Sequence, residues 1–96
     1  MATLDDIRAQ RKAILAIAQR YGVRRVRLFG SVVRGEDRPD SDLDVLAEFE
    51  DGRSLLDLVG FGQDLEDLLG RKVDVVSEGG ISPYMEKYIL AEATPL

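Results

Sequence analysis

The chain has 96 residues and a formal net charge of −5, from 13 basic and 18 acidic residues. A chain of this length has room for one modest hydrophobic core, so we assign residues 1–96 to one domain. The negative balance disfavours stable, sequence-independent binding to a nucleic-acid backbone. Cysteine and histidine are both absent. Disulfides, thiol catalysis and zinc thiolate sites are therefore excluded, and proton transfer is left to carboxylates, lysine or tyrosine.

The first residues of the chain lack the basic start and apolar core of a signal peptide. No apolar run approaches the roughly 20 residues that a membrane span needs. We therefore expect a cytoplasmic protein that does not contact a membrane.

Apolar periodicity and capping residues predict the elements of the first half of the chain. In chain order these are a helix capped by Thr3 that ends near Gly22, a strand over residues 25–29, a short helix from Ser31, a polar loop over 36–41 and a strand over 43–50.

The second half is predicted by the same signals. Its elements are a helix capped by Ser54 that ends at Gly70, a strand over residues 72–76, a turn at 79–80 and a helix from Ser82. Gly60 and Gly62 in the middle of the longer helix are interpreted as points of close packing on the sheet. The element order predicts an α+β fold of two layers, with a small mixed sheet, helices on one face and the carboxylates on the opposite, open face.

A glycine and a serine stand where the first predicted strand ends. Gly30 and Ser31 expose backbone N–H groups and a hydroxyl at the turn into the next element, an arrangement that suits a polyphosphate. Arg34 flanks this turn and is a candidate triphosphate contact.

Two carboxylates lie a short distance downstream on one face of the second predicted strand. Asp42 and Asp44 point one way while the alternating apolar residues point the other. Two carboxylates held at about 4 Å repel by about 4 kcal/mol at an effective dielectric of 20, so their proximity favours a bound cation. Hard oxygen ligands of this kind suit Mg²⁺ or Mn²⁺.

Asp74 is a third candidate, because it lies between two valines on the third predicted strand. If that strand lies beside the Asp42 strand, three carboxylates are expected to converge and hold one or two metal ions. One of them is then available to take the proton from an attacking hydroxyl. The sequence therefore predicts phosphoryl or nucleotidyl transfer.

Residues 30–35, 38–44 and 72–76 together resemble the minimal nucleotidyltransferase domain of the DNA polymerase β superfamily. The resemblance runs from about Val23 to the C-terminus and is greatest to the small bacterial antitoxin that is paired with a HEPN-domain ribonuclease toxin. It implies a polymerase-β-like fold and an ATP- and Mg²⁺-dependent transfer of AMP to a tyrosine of the toxin, which neutralises it.

By the same resemblance, Gly30 and Ser31 hold the β- and γ-phosphates of ATP. Asp42 and Asp44 hold the metals, while Asp74 completes the triad and acts as the base. The partners implied are a HEPN-type toxin and a nucleoside triphosphate.

Two alternatives stay open at this point. The chain is also compatible with a non-catalytic antitoxin that acts by contact, or with nucleotidyl transfer to a small molecule. The small-molecule alternative is disfavoured because so short a chain has little room for an acceptor pocket. The sequence leaves open the identity of the acceptor, the number of AMP units and the choice among nucleoside triphosphates.

Overall fold

The structure is a computed structural model that describes residues 4–36 and 42–96. The predicted Thr3 cap and residues 37–41 of the predicted polar loop lie outside the described residues.

Five α-helices, four strands and one short 3₁₀ turn make up the described part of the chain. In chain order they are α1 (Leu4–Arg8), α2 (Arg11–Arg20), β1 (Val23–Phe29), α3 (Ser31–Arg34), β2 (Leu43–Phe49), α4 (Leu55–Leu69), β3 (Val73–Ser77), the 3₁₀ turn (Glu78–Gly80), α5 (Pro83–Glu92) and β4 (Thr94–Pro95).

The strands form one mixed sheet in the order β3-β2-β1-β4. β1 pairs antiparallel with both β2 and β4, whereas β2 and β3 are parallel. The prediction that the third strand lies beside the second is therefore confirmed. The small mixed sheet is confirmed as well, although β4 was not predicted because two residues leave no periodic signal.

The core lies between the sheet and the helices α2 and α4. Alternate residues of β1 and β2 point into it, as the period of two in these strands predicts. Its buried members include Val26, Leu28, Leu43, Val45 and Ala47 from the strands and Ile14, Ala18, Phe61 and Leu65 from the helices. Burying each larger apolar side chain contributes about 1.5–3 kcal/mol to folding, so this layer fixes the positions of β1 and β2.

The opposite face of the sheet is not open along its whole length. Leu46 is on this face of β2, between the positions of Asp44 and Glu48, and is only 1% exposed. Leu46 and Ile89 of α5 are both buried, yet neither belongs to the main core cluster. The expectation of an open face is therefore wrong at Leu46, whereas Asp44 and Glu48 on either side of it remain partly exposed.

The first predicted helix is interrupted at Ala9 and Gln10. The Gln10 N–H donates to the Ile7 carbonyl at 3.0 Å, and Gln10 has φ −102° and ψ 19°, so the chain makes a tight turn there. Both Ile7 and Ile14 are buried, each 2% exposed. The prediction of one continuous helix is wrong because the hydrogen bonding changes at Gln10, whose N–H bonds to the carbonyl three residues back instead of four.

α4 begins and ends as predicted. The Ser54 N–H donates to the Asp57 carboxylate at 2.9 Å, and the Leu56 N–H donates to the Ser54 hydroxyl at 3.2 Å. This capping box satisfies N–H groups that have no partner within the helix.

The two glycines of α4 were interpreted as points of close packing on the sheet, and the structure does not support this for both. A Cβ at Gly60 would lie 2.5 Å from a ring carbon of Tyr21, which follows α2. A Cβ at Gly62 would make an ordinary 3.4 Å contact with Val75 of β3. The close packing of α4 against Tyr21 therefore requires a glycine at position 60. The packing of α4 on the sheet does not require the glycine at position 62.

Candidate active site

The turn after β1 brings its backbone directly against a carboxylate. Gly30 has φ 79° and ψ −152°, a combination that is essentially confined to glycine. A Cβ built on Gly30 would lie 2.0 Å from Oδ2 of Asp44. No side chain fits between this turn and Asp44, so the two features singled out in the sequence are neighbours in the fold.

Ser31 is the first residue of α3 and is half-buried. Its carbonyl accepts from the N–H of Glu36 at 2.8 Å, and the Gly30 carbonyl accepts from the N–H of Val33 at 3.1 Å. These backbone hydrogen bonds fix the turn between Gly30 and Gly35. The Ser31 hydroxyl makes no hydrogen bond within residues 4–36 and 42–96, so it is available to a ligand.

Asp44 and Asp74 are opposite each other on adjacent parallel strands. The register pairs Asp44 of β2 with Asp74 of β3, while Asp44 also faces Phe29 on β1. Asp42 lies one residue before β2 and is exposed. The strand pairing therefore brings the three predicted carboxylates to one end of the sheet, beside Gly30.

Electrostatics at this end of the sheet disfavour the ionised form of Asp44. Burial, followed by the nearby carboxylates of Asp74 and Asp42, raises the pKa of Asp44 to about 6. The guanidinium of Arg34 acts in the opposite direction. Within the described ranges, no three acidic side chains are already gathered closely enough to hold an ion together. The predicted convergence is therefore incomplete, although the ligand chemistry suits a hard divalent cation.

Arg34 is near the carboxylates but is already paired. Its guanidinium contacts the carboxylates of Glu36 at 3.1 Å and Glu92 at 2.5 Å, and its side chain remains 49% exposed. These two acids raise the pKa of Arg34. An arginine that is half exposed can exchange such partners for a phosphate at little energetic cost.

Glu92 is the residue at this site that sequence reasoning missed. It ends α5 and meets Arg34 across 58 positions of sequence, and it also contributes to the raised pKa of Asp44. No local motif marks it, because only the return of α5 toward β4 brings it there.

No helix in the described part of the chain is long and apolar enough to cross a membrane.

Comparison with known proteins gives matches along nearly the whole chain. Residues 10–96 match the family model described as nucleotidyltransferase domain. The protein adenylyltransferase MntA of Thermococcus cleftensis is 40% identical over 96 residues, covering 96% of this chain and 94% of the relative.

Solved structures agree with that match. One that is provisionally named a minimal nucleotidyltransferase superposes with a TM-score of 0.87 at 52% identity, covering 99% of this chain and 97% of the other. A tri-AMPylated HEPN toxin of Shewanella oneidensis in complex with its MNT antitoxin shares the fold, with a TM-score of 0.69 at 17% identity over 92% of this chain and 69% of the other. The fold expected from the motifs is thus confirmed, and the chain belongs to the nucleotidyltransferase domain family.

Proposed function

We propose that the protein is an antitoxin that transfers AMP from ATP to a tyrosine of a HEPN-type ribonuclease toxin and thereby neutralises it. The observation that carries the proposal is the direct approach of the Gly30 backbone to the Asp44 carboxylate, with Asp74 opposite on the next strand. A phosphate-binding turn and acidic ligands are then within reach of one triphosphate.

The nucleotide is held by the turn after β1. Backbone N–H groups and the free hydroxyl of Ser31 bind the β- and γ-phosphates, and Gly30 permits the close approach. Arg34 adds a positive charge when its guanidinium exchanges Glu92 for phosphate oxygens.

Asp42, Asp44 and Asp74 are the residues that would hold Mg²⁺ or Mn²⁺, which when bound neutralises the triphosphate and orients it for attack. Burial raises the pKa of Asp44 most, and the repulsion from Asp74 and Asp42 that adds to this effect is what a divalent cation relieves. The carboxylates therefore fit the ion in both ligand type and charge.

Asp74 is the proposed general base. Its carboxylate takes the proton of the tyrosine hydroxyl, whose reference pKa is about 10, as the phenolic oxygen bonds to the α-phosphorus. The bond from that phosphorus to the bridging oxygen of the β-phosphate breaks, and pyrophosphate leaves. The products are an AMP-tyrosine ester on the acceptor and a protonated Asp74, which returns its proton to solvent.

The acceptor is proposed to be a folded protein. The described residues form a single sheet with its helices, and a relative that is 40% identical is named a protein adenylyltransferase. The distant complex of an AMPylated HEPN toxin with an MNT antitoxin supports a toxin as the partner. ATP as the substrate fits the cytoplasmic location expected from the sequence.

Asp44→Asn is expected to stabilise the protein in the absence of metal and to weaken its response to metal and nucleotide. The folded state raises the pKa of Asp44 from 3.8 to about 6, so ionisation opposes folding as pH rises through this interval. After allowance for solvent screening, Asn should add about 1 kcal/mol of stability at about pH 8 and none near pH 4. Thermal unfolding in a chelator at both pH values measures this difference.

The same samples with Mn²⁺ and ATP test the site. Binding to the folded state should raise the melting temperature of the wild-type protein well above that of Asp44→Asn. Asp67→Asn, at an exposed position of α4, is the control and should respond like wild type. An identical response from wild type and Asp44→Asn contradicts the assignment of Asp44.

A further inference from the structure

β3 is an edge strand, and no other strand within residues 4–36 and 42–96 pairs with its outer side. The Leu43 N–H of β2 donates to the carbonyl of Lys72, the residue before β3, at 2.9 Å. The Val73 N–H instead donates to the Glu66 carboxylate of α4 at 2.9 Å, so it points away from β2. Because successive residues of a strand alternate, the N–H and C=O of Val75 also point outward, along the free edge.

A groove lies beside this edge, between β3 and α4. Its volume is about 230 Å³. Val59 and Gly62 of α4 form one wall, while Val73, Asp74 and Val75 form the other. Val59 is 45% exposed, and Gly62 contributes no side chain. The groove therefore offers apolar surface next to outward backbone groups of Val75, the combination by which an extended peptide adds to a sheet.

The alternation of β3 divides the side chains of such a peptide between two faces. Val73 and Val75 pack toward the core, on the side of the groove, whereas Asp74 points to the face that carries Asp44. A peptide residue directly opposite Asp74 would share its face, with the two Cβ atoms about 4.5–5.5 Å apart. Its neighbours on either side would point into the groove. In a segment with a tyrosine between two apolar residues, the tyrosine would lie on the face of Asp74 and its apolar neighbours would lie in the groove.

The charge of the groove favours a basic segment. Among the residues that line it, Glu66 places its acidic side chain on the groove side of the sheet, while the carboxylate of Asp74 lies across the edge strand on the other face. A lysine or arginine near the tyrosine would gain opposite-charge contacts of the kind that favour correct docking.

From these observations we infer that the acceptor segment of the toxin adds to β3 as an extended strand, with an apolar–tyrosine–apolar sequence that places the tyrosine beside Asp74. This inference rests on the proposed function, because it names how the same site receives its protein substrate. The strand contacts position the phenolic oxygen, while Asp74 and the nucleotide carry out the transfer.

Residue-resolved amide hydrogen exchange of the chain, alone and bound to its HEPN-type toxin without ATP, tests this placement. The Val75 amide should exchange freely in the isolated chain and at least about tenfold more slowly in the complex. The amides of Asp74 and Val76 point to β2 and should be protected in both states. A toxin that binds while the Val75 amide continues to exchange at its free rate overturns the inference.

A matched pair of variants tests the groove in the reaction. Val59→Lys should raise the KM for the toxin by about tenfold because it removes apolar surface and places a cation where a basic segment docks. ATP affinity and kcat at saturating toxin should remain unchanged. Leu15→Lys is the control, since Leu15 is 41% exposed on α2, away from the groove.

Equal effects of the two substitutions, or no effect of Val59→Lys, count against strand addition in the groove. The outcomes separate the two proposals. A wild-type protein that fails to modify the toxin refutes the proposed function, whereas modification without protection at Val75 refutes only the docking mode.

Discussion

Replacing Asp74 with asparagine should reduce AMP transfer by about 10²–10⁴-fold, the usual contribution of a general base. Asparagine has nearly the same shape but does not accept the phenolic proton, and it weakens metal binding as well. Asp74 is exposed on an edge strand, so the substitution should leave the fold unchanged. The affinity for the toxin should fall only slightly, because an exposed charge pair contributes little to binding. Single-turnover transfer to the toxin, followed by mass spectrometry, measures the loss.

The control for this substitution is Asp67→Asn, which removes an exposed carboxylate from α4 without touching the site. Its transfer rate should equal that of the wild-type protein. If Asp74→Asn transfers AMP at the wild-type rate, Asp74 is neither the base nor an essential metal ligand.

Gly30→Ala should have a comparably large effect by a different route. Gly30 occupies a backbone conformation that is nearly restricted to glycine, and the added Cβ would lie 2.0 Å from Oδ2 of Asp44. The strain should lower stability by about 1–3 kcal/mol. Because the turn and the Asp44 carboxylate must move apart, transfer should fall by at least about a hundredfold even in the folded fraction.

Gly35→Ala is the matched control for backbone strain. Gly35 also has a positive φ, of 72°, but a Cβ there would have no atom within 4 Å among the described residues. It should lose stability through strain alone and keep ATP affinity. ATP titration calorimetry distinguishes the two variants, and equal ATP affinities would contradict the role given to the Gly30 turn.

The carboxylates of the site could be placed from the sequence because strand alternation is strictly local. Asp44 and Asp74 each lie between apolar neighbours, and a period of two sets the face of each side chain. Their mutual register then follows once β2 and β3 are paired in parallel. The turn at Gly30 was also predictable, because glycine at the end of a strand is a local signal.

The features that sequence reasoning missed depend on contacts between distant parts of the chain. The pairing of Arg34 with Glu92 requires α5 to return across the sheet, and β4 exists only because Thr94 and Pro95 meet β1. The first predicted helix has no glycine or proline at its interruption near Gln10. The turn consists of a change from four-residue to three-residue hydrogen bonding at Gln10, for which the sequence carries no local signal.

The predicted start of strand β1 was also wrong because it depends on pairing with a distant strand. It begins at Val23 rather than at Arg25, because Val23 pairs with Phe49 across an irregularity between Val23 and Arg25. Such an irregularity interrupts the apolar–polar alternation, so the periodicity alone predicts a strand that starts later.

Intact-mass spectrometry of the HEPN-type toxin after incubation with the chain, ATP and Mg²⁺ tests the central claim most directly. The toxin should gain mass in whole units of AMP, peptide mapping should place them on a tyrosine, and the ribonuclease activity should fall in step with the modification. No gain should occur without ATP. A toxin that is fully inhibited but keeps its unmodified mass would contradict this account and show that the chain neutralises its partner by contact alone.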